Sequence, residues 1–161
     1  MAPSTKKRTS KRPIKVAVKK AQGHWVEMLR NIEKKQTRYI FSDEESNVTA
    51  AIISEIVYAS LVELEESCRK IAEEYMLLEP KKLKKWLAID NTPAQINFSI
   101  EQDSLQDVLD DVQANHMRYM IMKDSGTLAA VIVNGQTYKA VLSHEKFMAR
   151  LAEYHASRSI R

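Results

Sequence analysis

The chain has 161 residues, enough for one domain of ordinary size or two very small ones, and its formal net charge at pH 7 is +4. A single cysteine, Cys68, excludes an internal disulfide framework, and we expect it to be a small buried apolar side chain. No apolar run approaches the roughly 18 residues of a membrane span, so the sequence predicts a cytoplasmic protein that does not enter a membrane.

Residues 1–13, MAPSTKKRTSKRP, form a basic arm that contains Ser, Thr and Pro and has almost nothing apolar to bury. Eight lysines or arginines and no acid fall within residues 1–20, so the basicity of the chain is local. A segment of this composition is predicted to be disordered. Its like charges suit either a solubilising tail or a segment that contacts phosphate groups.

Residues 14–75 are predicted to form a first unit with the element order β-α-β-β-α. The VAV at Val16–Val18 alternates as a short first strand, and Tyr39–Phe41 and the VTAAII that begins at Val48 suit two more strands joined by a polar turn. One helix follows the spacing i, i+3, i+4, i+7 of a single buried face through Trp25, Met28, Leu29 and Ile32. Ser54 stands in the N-cap position of a last helix that carries Tyr58 and Leu61 and continues through Ile71.

Residues 76–93 form a Pro-bounded connector, and residues 94–156 repeat the first unit. In the connector, Leu83, Trp86 and Leu87 predict a short amphipathic helix beside a cluster of four lysines. The second unit again has a short strand at Ile96–Phe98, an amphipathic helix from Leu105, a pair of strands and an N-cap residue, Asn134, before its last helix. Residues 157–161 are a short tail.

The two units match without gaps at one spacing. Arg38 and Arg118 are 118 − 38 = 80 residues apart, and ten identities share this offset. They are Gln22/Gln102, Leu29/Leu109, Arg38/Arg118, Tyr39/Tyr119, Ala50/Ala130, Ile52/Ile132, Tyr58/Tyr138, Glu65/Glu145, Ala72/Ala152 and Glu73/Glu153. Further apolar positions match in character, including Val16 with Ile96 and Val18 with Phe98. The sequence therefore predicts a duplicated unit.

The pattern of the second unit resembles the Phd/YefM (prevent-host-death) antitoxin family. The elements that carry the resemblance are the strand Ile96–Phe98, the pair Leu105 and Leu109, the strand Tyr119–Lys123 before Gly126, the strand Ala130–Val133, and a capped helix with Tyr138 and Val141. The resemblance implies a unit that dimerises and binds operator DNA, while a disordered C-terminal extension neutralises a toxin. Two copies in one chain then imply an intramolecular version of the family dimer.

The chain departs from that family at its charged positions. The resemblance places a basic residue near the start of the first helix, where this chain has Gln22 and Gln102, and another at the end of the second strand, where it has Asp43 and Lys123. Only HASRSIR follows the last predicted helix, so we expect no toxin-wrapping segment.

The basic residues of the first unit and its arm predict contacts with double-stranded DNA. Gln22 and His24 fall near the helix start, where side chains reach base edges, and Lys123 retains the basic position implied by the family. The equivalent stretch of the second unit is acidic, with Glu101, Asp103 and Asp107, and would repel phosphate. The candidate DNA-binding residues are Lys6, Lys7, Arg8, Lys11, Arg12, Lys15, Lys19, Lys20, Gln22, His24 and Lys123.

No catalytic constellation is evident. The four histidines lack metal-ligand spacing, and the three glycines make no phosphate-binding loop. We therefore expect no enzyme activity, no cofactor and no metal. Arg38 and Arg118 each precede a strand, and we expect each to hold a carboxylate or a carbonyl within its own unit. His144 and Glu145 are predicted to be surface residues.

The sequence thus predicts an α+β protein of two tandem β-α-β-β-α units packed as an intramolecular pseudo-dimer, with a disordered basic arm. Its predicted function is that of an antitoxin-like DNA-binding repressor or accessory factor, nucleoid-associated when bound. The alternative is an interaction or inhibitor module that no longer binds DNA and docks a basic protein partner, or that neutralises a toxin. Self-association through the paired units is also open.

Overall fold

Six strands form one mixed sheet with helices on both faces in the computed structural model, which describes residues 12–76, 95–100 and 103–159. The strands are β1 (Ile14–Lys15), β2 (Tyr39–Ser42), β3 (Val48–Ser54), β4 (Gln95–Phe98), β5 (Arg118–Met122) and β6 (Leu128–Asn134). The helices in these residues are α1 (Val18–Gly23), α2 (Trp25–Lys35), α3 (Glu55–Met76), α4 (Leu105–Asn115) and α5 (Gly135–Ser159). The predicted α+β class is confirmed.

The strand order is β1-β2-β3-β6-β5-β4. The first three strands form one half of the sheet, and the last three form the other half in reverse order. At the centre β3 and β6 are antiparallel, with Ile52 opposite Ile132. Ala50 faces Asn134 and Ser54 faces Ala130, two pairs that the 80-residue offset exchanges. The register is therefore that of an approximate twofold axis passing between Ile52 and Ile132.

Both faces of the sheet are covered, which explains why β3 and β6 are continuous apolar runs. Ala50 and Ile52 of β3 point to one face, where α1, α2 and α4 supply Ala21, Trp25, Met28, Ile32, Leu105, Val108, Leu109 and Val112. Ala51 and Ile53 point to the other face, where α3 and α5 supply Tyr58, Leu61, Tyr138 and Val141. On this second face α3 contacts β6 and α5 contacts β3, so each helix also packs on the central strand of the other half.

Local details recur at the 80-residue offset. Gln36 and His116 are the C-cap residues of α2 and α4, and both have left-handed backbone conformations, with φ 57° and 54°. The Gln36 side chain accepts a hydrogen bond from the Ser54 hydroxyl, and the His116 ring is hydrogen-bonded to the Asn134 amide. Ser54 and Asn134 are the N-cap residues of the next long helices, α3 and α5. These N-caps accept the backbone N–H of Val57 at 3.3 Å and of Thr137 at 2.7 Å, which confirms the predicted caps. Both hairpins carry a register shift near the end of the second strand.

The predicted first strand at Val16–Val18 is wrong. The strand is Ile14–Lys15; the backbone N–H of Val16 still donates to the carbonyl oxygen of Ile40 at 3.1 Å, and Val18 begins α1 with its side chain packed against the core. Ile14 pairs with Tyr39, whereas Ile96 pairs with Tyr119. The two first strands are therefore 96 − 14 = 82 residues apart, two more than the rest of the repeat, and the matches of Val16 with Ile96 and of Val18 with Phe98 do not hold.

Two further expectations change. Cys68 is exposed, because it lies beyond Leu61, the last buried side chain among the residues of α3 whose burial is described, 55–74. The last helix extends through residues 157–159, which were predicted to belong to a tail. The predicted connector helix at Leu83, Trp86 and Leu87 lies outside the described residues, as do residues 1–11 of the predicted arm.

Candidate nucleic-acid interface

The basic surface of the first half is built by β1 and α1. Val18 and Ala21 turn toward the core, so the intervening Lys19 and Lys20 point to solvent. Lys20 lies in the last turn of α1, where a positive charge is favoured by the helix dipole. The fold thus presents these lysines outward because their apolar neighbours are anchored.

Lys15, Lys19 and Lys20 are exposed, and in the described part of the chain none of them forms an ion pair. Arg12, the first described residue, is also exposed. The remaining predicted residues of the arm, Lys6, Lys7, Arg8 and Lys11, lie outside the described residues. Four cationic side chains are therefore available to an anionic ligand at this end of the first half.

Gln22 and His24 lie beside these lysines. Gln22 is exposed in the last turn of α1. His24 joins α1 to α2: its backbone N–H donates to the carbonyl oxygens of Lys20 and Ala21, and its Nδ1 lies 3.7 Å from a carboxylate oxygen of Glu27. The structure therefore brings Gln22 and His24 together with the basic residues of α1.

Lys123 is placed differently. Its Nζ lies 3.4 Å from Glu33 of α2, so this second-half lysine contacts the first half through a carboxylate. The equivalent Asp43 accepts the backbone N–H groups of Asn47 and Glu45, both at 2.9 Å, and closes its own turn. The backbone hydrogen bond from Asn47 is the main reason that the pKa of Asp43 is lowered. Lys123 and Asp43 therefore have different structural roles.

The neighbouring surface of the second half is acidic. Helix α1 packs against α4, which carries Asp107 and Asp110 on its exposed side. Asp111 accepts a 2.5 Å hydrogen bond from the hydroxyl of Tyr119, and this bond lowers the pKa of Asp111 and raises the pKa of Tyr119 to about 12. The carboxylates of Asp107 and Asp110 would repel a phosphate group on the α4 side of α1. A nucleic acid could therefore approach α1 only from the side away from α4.

Arg38 and Arg118 each bind a glutamate of the opposite half. Arg38 donates to Glu145 at 2.7 and 2.5 Å, and Arg118 donates to Glu65 at 2.9 and 2.6 Å. The prediction that each arginine holds a partner within its own unit is therefore wrong. Glu145, predicted as a surface residue, is half-buried in this contact.

Both guanidinium groups are largely removed from water, with side chains 10% exposed for Arg38 and 6% exposed for Arg118. The hydrogen bond to Glu145 raises the pKa of Arg38. Burial opposes the charge of Arg118, but hydrogen bonds to Glu65 and Tyr58 outweigh it and raise the pKa of that group. Glu65 and Glu145 were the residues that sequence reasoning missed, although their identity at the 80-residue offset was visible.

Among the described residues no cluster of three or more His, Cys, Asp or Glu side chains could hold a metal ion. In the same residues no helix is both long enough and apolar enough to cross a membrane.

Comparison with protein families, with curated proteins and with solved structures finds no match to this chain.

Proposed function

We propose that the protein is a DNA-binding regulator built from two Phd/YefM-like units that pair within one chain. The first unit and the arm before it contact the phosphate backbone. The second unit completes the scaffold. The observation that carries the proposal is the group of exposed cations at Arg12, Lys15, Lys19 and Lys20, which form no ion pair with another described residue and continue the basic run of the preceding sequence.

The pairing part of the proposal is supported by reciprocity. In a twofold dimer the same patch on both partners forms the interface, so every contact occurs twice with its members exchanged. The β3–β6 register obeys this rule about Ile52 and Ile132, and so do the bridges Arg38–Glu145 and Arg118–Glu65. These are the contacts expected if two copies of a homodimeric unit now share one chain.

The DNA part is supported by charge and position. Each lysine that neutralises a phosphate releases a condensed counterion, which makes binding favourable at low salt and steeply dependent on it. Gln22 lies on the same helix as Lys19 and Lys20 and provides an amide that suits an adenine edge. We propose that the lysines position the helix and that Gln22 and His24 contact bases.

The test is fluorescence anisotropy of the full chain with a duplex from the region upstream of its own coding sequence, titrated at about 50 and 200 mM salt. The variant Lys19→Gln/Lys20→Gln should bind more weakly and reduce the slope of log K against log salt by about 1.8, since each phosphate contact contributes about 0.9. The same variant should lose affinity for an unrelated duplex of equal length by a similar factor, because phosphate contacts carry no sequence information.

The matched control is Lys70→Gln/Lys139→Gln, which removes the same charge from α3 and α5 on the other face of the sheet. This control should leave the salt slope close to that of the parent chain. Equal effects of both variants would show that net charge, and not the α1 surface, governs binding. No binding of either duplex at low salt would refute the proposal.

The alternative is an interaction module that docks a basic protein partner. The observation that favours it is the acidic exposed side of α4, with Asp107 and Asp110 next to the site. A basic partner captured by the parent chain and released by Asp107→Asn/Asp110→Asn, in the absence of any duplex binding, would favour this alternative.

A further inference from the structure

The distal part of α5 has no covering layer among the described residues. The last buried side chain on this helix is Val141, and every residue from Lys146 to Arg158 is exposed. These 13 residues extend about 20 Å at 1.5 Å per residue. A helix of this length without tertiary contacts is marginal in water, because most helical stability in proteins comes from packing of an apolar face.

This exposed segment has such a face. Phe147, Leu151 and Tyr154 follow the spacing i, i+4, i+7 and are 60%, 37% and 52% exposed; we call them the α5 stripe. Tyr138, which packs on the sheet, is nine residues before Phe147 and so lies about 180° around the helix. The α5 stripe therefore points away from the sheet.

The charge around the stripe selects its partner. Helix α5 carries four Lys or Arg and two Glu, a net 4 − 2 = +2 with histidine neutral. Helix α3, related to it by the approximate twofold axis, carries two Lys or Arg and six Glu, a net 2 − 6 = −4. On α3 the position equivalent to Leu151 is Ile71, which is 67% exposed, and the exposed Glu63 and Glu74 flank that side of the helix.

We propose that the α5 stripe is covered by a second copy of this chain, with α5 of each protomer packed on α3 of the other in a closed twofold dimer. One such dimer forms both α3–α5 contacts at once, because a twofold interface repeats each contact with its members exchanged. Each contact joins a basic helix to an acidic one. Pairing of α5 with its own copy would instead set Lys146 and Arg150 against like charges.

The experiment is sedimentation analysis of the full chain from about 1 to 100 µM at two salt concentrations. The parent chain should be a dimer whose dissociation constant rises with salt. Phe147→Glu should raise that constant at least tenfold, about 1.4 kcal/mol or more. Val26→Glu is the matched control, since Val26 is also exposed, at 69%, but lies on α2 across the sheet; it should leave the dimer unchanged. Thermal unfolding of both variants checks that each retains the fold.

Charge reversal identifies the occupant. Lys146→Glu/Arg150→Glu should weaken the dimer, and adding Glu63→Lys/Glu74→Lys to the same chain should restore it. A parent chain that stays monomeric at 100 µM overturns the proposal and assigns the stripe to another occupant. A dimer unaffected by Phe147→Glu overturns it as well, and a dimer strengthened by the α5 charge reversal alone overturns the α3 assignment in favour of α5–α5 pairing.

Discussion

Replacement of Glu65 by alanine is expected to destabilise both halves together, although Glu65 belongs to the first. Its carboxylate accepts two hydrogen bonds from Arg118 of the second half, at 2.9 and 2.6 Å. The variant leaves the Arg118 guanidinium, whose side chain is 6% exposed, without its counterion.

The expected cost follows from this geometry. Removal of one partner of a fully buried ion pair costs about 3–5 kcal/mol, because the remaining charge stays desolvated. Glu65 is 44% exposed, so water screens the pair and can enter once the carboxylate is gone. We therefore expect a loss of about 2 kcal/mol, which for a chain of this size lowers the melting temperature by about 4–8 °C.

The assay is urea unfolding monitored by circular dichroism and by tryptophan fluorescence. The matched control is Glu66→Ala on the same helix, whose exposed carboxylate is expected to contribute within about 0.5 kcal/mol. A single transition shifted equally in both signals supports the cross-half role. Equal stability of Glu65→Ala and Glu66→Ala would refute the reasoning. The mirror variant Glu145→Ala should behave like Glu65→Ala, since its partner Arg38 is 10% exposed.

Three further outcomes are expected. Gly135→Ala should lower the free energy of unfolding in urea by about 2–3 kcal/mol, because a Cβ there overlaps the carbonyl oxygen of Val48. The control Gly23→Ala adds a Cβ that meets nothing within 4 Å and should be neutral or slightly stabilising. Equal effects of the two variants would contradict this expectation. The pKa of Tyr119 is raised to about 12 in the folded chain, so its bond to Asp111 contributes stability below about pH 10 that is lost as the pH rises through about 12. Tyr119→Phe should abolish that part of the pH dependence, and Tyr39→Phe, whose partner is the uncharged Asn31, should not. Residues 12–76 alone should not unfold cooperatively, because β3 loses β6 and Arg38 loses Glu145; a well-folded monomeric half would argue against the paired-unit proposal.

Periodicity predicted most of the elements because their faces are regular. The helix through Trp25, Met28 and Ile32 and the strands β2, β3, β5 and β6 follow the predicted spacing, since each buries one or both faces against a layer. The first strand was misplaced because an alternating apolar run as short as Val16–Val18 also occurs where a strand ends and a helix begins. The pairing of Ile14 with Tyr39 shows where the strand lies, and this pairing cannot be read from the sequence.

Partner choice was not predictable from spacing. Arg38, Arg118, Glu65 and Glu145 obey the same 80-residue offset whether each arginine binds its own half or the other. The spacing of residues along a helix predicts which side chains are buried, but it does not predict which half of the protein buries them. For the same reason Lys123 could not be placed beside Glu33 in advance. The exposure of Cys68 follows from the length of α3, which extends past the sheet in a way that composition does not reveal.

The covalent link between the halves has a consequence for the central β3–β6 junction. Two separate chains joined by such a junction would separate on dilution, and every surface on one partner would appear on the other. Within one polypeptide the junction forms at an effective concentration that does not depend on how many molecules are present. The two outer surfaces are also free to differ, so lysines at Lys19 and Lys20 can coexist with the aspartates of α4 in every molecule. Each chain therefore carries one basic α1 surface, whereas a symmetric pair of single units would carry two.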